Sequence, residues 1–128
     1  MRELLCVFVG GGIGSAIRYL ISVIWQHLLL NPQFSNIIFP WPTFIVNIIG
    51  CLLIGFFYNY SGRCGMTHEV QLLLTVGLCG GFTTFSTFSY ESISLIHSGH
   101  VSMCLIYIVG SFLLGIVAAC IPNIISHT

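Results

Sequence analysis

Charge is what this 128-residue sequence has least of. Lys+Arg number three and Asp+Glu three, so charged residues make up 5% of the chain. A soluble domain carries about 25%, and a chain this poor in charge cannot clothe a water-facing surface. A mean hydropathy of +1.02 and a hydrophobic content of 56% place it in the bilayer instead, as a multi-pass protein of the inner or plasma membrane. No basic stripe exists to hold nucleic acid phosphates. The six cysteines (6, 51, 64, 79, 104 and 120) lack CxxC pairing and mostly fall in apolar runs. That argues against a zinc or disulfide framework and for free thiols packed as small hydrophobes. The opening MRELLCVFVG has the charge and apolar run of a signal peptide but no clear small-x-small cleavage site, so it reads as an uncleaved first span. An ATP-binding motif is missing too, and no enzymatic activity is expected.

What is present is length enough to cross a membrane four times. A helix needs about 20 residues to span roughly 30 Å of hydrocarbon. The expected spans are about 4–30, 41–60, 70–96 and 101–125, forming one four-helix transmembrane domain over 1–128. Pro40 and Pro42 suit the start of the second span. The connections are short and rich in Pro, Gly or His. Arg2 and Arg63 fall on one side of the membrane and no Lys or Arg on the other. This weak bias allows insertion in both orientations.

The third span carries the least ordinary stretch, GLCGGFTTFSTFSYE from Gly77 to Glu91. Each glycine inside a helix costs about 1 kcal/mol relative to alanine, and Gly77, Gly80 and Gly81 together predict a broken helix, resuming near Thr83. Irregular backbone is tolerated at this depth only against protein or a cavity. Thr84, Thr87 and Glu91 share a face, and Phe82, Phe85 and Phe88 recur every three residues among hydroxyls. Core packing is the plainer reading of such aromatics. The other is that their positive ring edges and the hydroxyl donors replace part of the water shell of a small hard anion. Conduction requires that such binding be weak enough to release the ion.

Three further groups stand out. Gly11, Ser15, Arg18 and Ser22 share a face of the first span, which suits close helix packing. An arginine at the depth of Arg18 is costly and should face protein, a vestibule or an anion; snorkelling to the membrane surface is the alternative. Asn47 in the second span either bonds a neighbouring helix or faces a pore, with Thr43 one turn earlier on the same face. Ser111 and Gly115 form a small-xxx-small pair in the fourth span, where Ser111 is also a candidate pore hydroxyl. The five histidines lie at or near span ends and read as interfacial side chains.

Three of these stretches, GxxxGxxxRY (Gly10 to Tyr19), TFIVNIIG (Thr43 to Gly50) and GLCGGFTTFSTFSYE, together resemble the Fluc/CrcB family of fluoride channels. The resemblance covers all four spans. It implies an all-α, antiparallel (dual-topology) homodimer, with two fluoride pores at the subunit interface. It implies pore roles for Asn47, Thr84, Phe85, Ser86, Thr87, Phe88, Tyr107 and Ser111, and vestibule positions for Arg18 and Glu91. It also implies a structural Na⁺ held by the main-chain carbonyls of Gly80 and Thr83. Phe82 departs from the smaller aliphatic residue of many members. The expected function is passive, fluoride-selective export from the cytoplasm of a microbe, reducing fluoride toxicity. A small proton-coupled drug exporter is a rival, weakened because only Glu91 lies inside a span. A structural subunit of a membrane complex is another.

Overall fold

Four apolar helical stretches account for almost the entire chain. The structure is a computed structural model that describes residues 1–33 and 35–127. Helix α1 spans Arg2–Leu29 and α2 spans Trp41–Cys64. The third stretch is composite: α3 (His68–Leu72), a π-helical segment (Leu73–Cys79), α4 (Gly80–Phe82) and, beyond a gap, α5 (Phe85–His97). Helix α6 spans Val101–Ser126. Arg2–Leu29, Trp41–Cys64, His68–His97 and Val101–Ser126 are each long and apolar enough to cross a membrane. The connection 31–39 includes Phe34, which with Thr128 lies outside the described residues.

Local chemistry sets the helix ends. Pro40 precedes α2 and Pro42 sits in its first turn, where a missing N–H costs nothing. Gly65 ends α2 with φ 59°, and Gly99 turns the chain into α6 with φ 80°; both conformations suit glycine. Thr67 begins α3 by accepting the Val70 amide on its side chain.

Packing divides the bundle into two tight pairs, α1 against the π-helical segment and α4, and α2 against α6. Glycine makes the first pair possible. A methyl group at Gly10 would collide with the Leu73 carbonyl, at Gly14 with the Leu78 carbonyl, and at Gly81 with the Gly11 carbonyl. At Gly77 it would lie 2.9 Å from the Gly10 Cα. The second pair closes in the same way where Gly55 meets the Ala119 carbonyl.

These contacts correct the expected position of the break. Helical backbone runs straight through Gly77, Gly80 and Gly81. Backbone-to-backbone packing of Gly77 and Gly81 on α1 offsets the poor helix propensity of this stretch, which is small beside tertiary contact. The helix breaks instead at Thr83 (φ −80°, ψ 157°) and Thr84 (φ −149°, ψ 123°), and resumes at Phe85. The preceding π turns widen the helix just before this point, as such turns commonly do near working sites.

Candidate functional site

The break exposes backbone groups at membrane depth, and side chains from α1, α2 and the break itself take them up. Asn47 on α2 faces Thr84: its Oδ1 accepts the Thr84 amide at 2.9 Å, and its Nδ2 donates to the Thr84 carbonyl at 3.2 Å. From α1, Ser15 Oγ and Arg18 Nε reach the Gly81 carbonyl at 3.4 and 3.3 Å. Of the alternatives open for Arg18, the structure selects a protein partner. Thr83 turns its own hydroxyl back to the Cys79 carbonyl at 2.9 Å. In an unbroken helix the amides of Thr84 and Thr87 would pair with the carbonyls of Gly80 and Thr83. Here the first goes to Asn47 and the second, at 3.3 Å, to Thr84 Oγ1.

Past the break, hydroxyls cluster on the first turn of α5. Thr84 Oγ1 lies 3.3 Å from Ser86 Oγ and 3.2 Å from Thr87 Oγ1. Phe85 and Phe88 lie with ring centroids 5.8 Å apart. Their surroundings differ: Phe85 is 74% exposed, whereas Phe88 is 8% exposed and packs on Tyr107 with centroids 4.9 Å apart. Phe82 is buried beside Gly50 at the break.

One turn toward the start of α2 lies a second polar cluster. The Glu91 carboxylate accepts Thr43 Oγ1 at 2.8 Å and the Tyr107 hydroxyl at 2.7 Å. Among the described residues, two neutral hydroxyls rather than a cation hold this carboxyl group. Phe39, Trp41 and Phe44 pack around it, with Phe39 edge-on to Tyr107 at 5.5 Å.

An open groove of about 700 Å³ runs between α2, the third stretch and α6. It gathers Asn47, Thr84, Phe85, Phe88 and Ser111 into one surface. The Ser111 hydroxyl oxygen is buried and has no hydrogen-bond partner among the described residues, a condition that costs about 1–3 kcal/mol unless something else satisfies it. Gly50 and Gly115 form part of the groove floor, where Gly115 lies close to Cys51 Sγ. Not every anticipated residue meets in this groove. Ser86 and Thr87 contact it through Thr84, Glu91 and Tyr107 form the neighbouring cluster, and Arg18 lies across the break on α1. Thr43 was legible only as a residue one turn before Asn47, and its bond to Glu91 has no sequence signature.

The chain matches, over residues 5–122, the family described as "CrcB-like protein, Camphor Resistance (CrcB)". It is 50% identical to the fluoride-specific ion channel FluC of Phocaeicola vulgatus over 117 residues, covering 91% of each chain. It is 48% identical to FluC of Bacteroides fragilis over 118 residues, covering 92% of this chain and 91% of the relative. For FluC of Thermus thermophilus the identity is 40% over 119 residues, covering 93% and 90%. By its family match and by these relatives along nearly its full length, the chain belongs to the CrcB-like family.

Proposed function

We propose that this multi-pass membrane protein is a fluoride-selective passive channel, not an enzyme, that lets F⁻ leave the cytoplasm. The observation that carries the reading is the groove at the break. It sets the amide of Asn47, the unpartnered hydroxyl of Ser111 and the rings of Phe85 and Phe88 on one surface without a cationic side chain. Dehydrating a small anion requires donors that replace its water, and a fixed positive charge would hold the ion too tightly for conduction. Hydroxyls and ring edges meet both needs. The names of the relatives specify fluoride as the ion.

In this reading F⁻ passes Phe85 and Phe88 and exchanges donors along Asn47, Ser111 and the Thr84–Ser86–Thr87 hydroxyls. Glu91, Thr43 and Tyr107 lie at one approach, and Arg18 holds the break in shape from the other side. Flow needs no energy source beyond the membrane potential and the F⁻ released as HF ionises inside. The groove lies open in one subunit, and a second, antiparallel copy is the proposed partner that closes it into a pore. A structural Na⁺ fits the break because the amides that would pair with the Gly80 and Thr83 carbonyls are turned elsewhere. Those two carbonyls would hold the ion, which would supply the positive charge that freed carbonyls need.

The test is efflux from liposomes containing the purified protein, loaded with F⁻ or with Cl⁻ and followed by ion-selective electrodes. Rapid F⁻ release without Cl⁻ release is expected. No release of either ion from protein shown to be dimeric and supplied with Na⁺ would favour a structural subunit of a larger assembly.

A further inference from the structure

Two of the six cysteines converge on the groove. Cys51 stands on α2 and Cys79 at the end of the π-helical segment, and both line the groove wall. Their neighbours show how they are brought together. Thr83 lies one turn beyond Cys79 on the same face, and its methyl occupies the space that a side chain at Gly50, next to Cys51, would fill. The third stretch and α2 therefore touch along the line that carries both thiols, and each sulfur lies within electrostatic range of the other. Gly115 on α6 keeps the space beside the pair clear, since a methyl there would stand 3.3 Å from Cys51 Sγ.

The pair differs from the other thiols. Cys104 is buried and donates to the Ser92 carbonyl at 3.3 Å, as a packed thiol does. Cys64 and Cys120 are exposed, and Cys6 lies on α1. Among the described residues, neither the Cys51 nor the Cys79 sulfur has a hydrogen-bond partner. Two thiols in one wall are a soft donor set. Zinc would require four ligands, and among the described residues no three of His, Cys, Asp and Glu are grouped to supply them. Two sulfurs suit instead a soft ion that accepts linear two-coordination. Charge narrows the choice further. An unpaired charge at membrane depth is costly. Two thiolates on a divalent ion leave none, whereas on a monovalent ion they leave one negative charge.

We propose that Cys51 and Cys79 form a two-thiol site for a soft divalent metal ion of the mercuric class, and that the bound ion obstructs the groove. Binding is a substitution without redox change. HgCl₂ arrives as a neutral molecule, two S–H bonds break, two S–Hg bonds form, and two H⁺ and two Cl⁻ leave. The obstruction rests on the channel reading above; the binding does not. The probe is HgCl₂, added to purified wild type, Cys51→Ala, Cys79→Ala and Cys120→Ala. Each protein is then gel-filtered in roughly 0.1 mM monothiol, below the roughly millimolar effective concentration of a tethered second thiol, and the mercury that stays with it is counted. A lone thiol loses its metal to the wash, while a pair holds it about 10²- to 10⁴-fold more tightly. Wild type and Cys120→Ala are expected to keep one mercury per chain, and Cys51→Ala and Cys79→Ala none. Cys51 is only half-buried, so Cys51→Ala should fold and decides alone. Wild type that keeps no metal, or a folded Cys51→Ala that keeps as much as wild type, would overturn the site. Fluoride efflux is read from the same treated proteins in liposomes, each against its own untreated rate. Loaded wild type is expected to lose its efflux, and treated Cys51→Ala to keep its untreated rate. Unchanged efflux from fully loaded wild type would overturn the obstruction. Untreated wild type that releases no F⁻ would overturn the channel reading, and the metal count would still decide the site.

Discussion

At the scale of single residues, most polar groups around the break have a protein partner, and in the proposed channel the few that lack one are left for the ion. Asn47 does both: Thr84 engages its Oδ1 and one Nδ2 hydrogen, and the second Nδ2 hydrogen is the donor proposed for the ion. Ser111 is a group left open, with a buried hydroxyl that has no hydrogen-bond partner among the described residues. The two phenylalanines differ in how cleanly they can be tested. Phe88 is also core, packed against Tyr107, so its removal disturbs folding and conduction together. Phe85 is 74% exposed in the subunit, and Phe85→Ile should leave the fold intact. Aromatic edge contacts are worth about 0.5–1.5 kcal/mol, and each 1.4 kcal/mol or so is tenfold in rate. Fluoride efflux by Phe85→Ile should therefore fall by up to about tenfold, and more if its ring edge contacts the ion at the barrier. Efflux equal to wild type would remove ring edges from the mechanism.

At the scale of helices, glycine placement determines how closely the third stretch approaches α1. Gly14→Ala would drive a methyl into the Leu78 carbonyl, and relief requires separating two backbones. A cost of about 2 kcal/mol or more is expected, seen as a lower thermal midpoint in detergent. A methyl group at Gly12 would meet nothing of the other described helices within 4 Å, so Gly12→Ala should be neutral or stabilising by about 0.5–1 kcal/mol. Equal effects of the two changes would mean that helix propensity, not packing, is at stake. The extent of the helices was plain in the sequence: spans expected at 41–60 and 101–125 lie within Trp41–Cys64 and Val101–Ser126. So was the pairing of Thr43 with Asn47 on one face. The position of the break was not. Propensity assigns Gly77, Gly80 and Gly81 to irregular backbone, and only the partner helix reveals that Gly77 and Gly81 are contact points. The Glu91–Thr43–Tyr107 cluster and the pairing of Cys51 with Cys79 were hidden for a related reason. Both join residues from different helices, and periodicity along one helix says nothing about which face of the next it meets.

At the scale of the whole molecule, the chain presents an open groove, which the proposed antiparallel second copy would close. Cys64 is exposed at the end of α2, which makes orientation measurable. A variant keeping only this cysteine should react with a membrane-impermeant thiol reagent added outside intact cells in about half of the molecules, as dual insertion requires. Complete reaction or none would mean a single orientation. If Na⁺ occupies the break, its exchange for a bulky organic cation should lower the thermal midpoint of the purified protein, and an unchanged midpoint would remove the ion from the account. The claim that joins all three scales is that F⁻ crosses beside the Asn47–Thr84 contact. It is tested most directly by fluoride efflux from liposomes holding Asn47→Asp beside wild type, with folding of both checked by gel filtration. Aspartate keeps the size but puts negative charge where the anion must pass, so wild type should release F⁻ rapidly and the variant should release almost none. A folded Asn47→Asp protein that releases F⁻ at the wild-type rate would contradict the account, because the ion would then be crossing somewhere else.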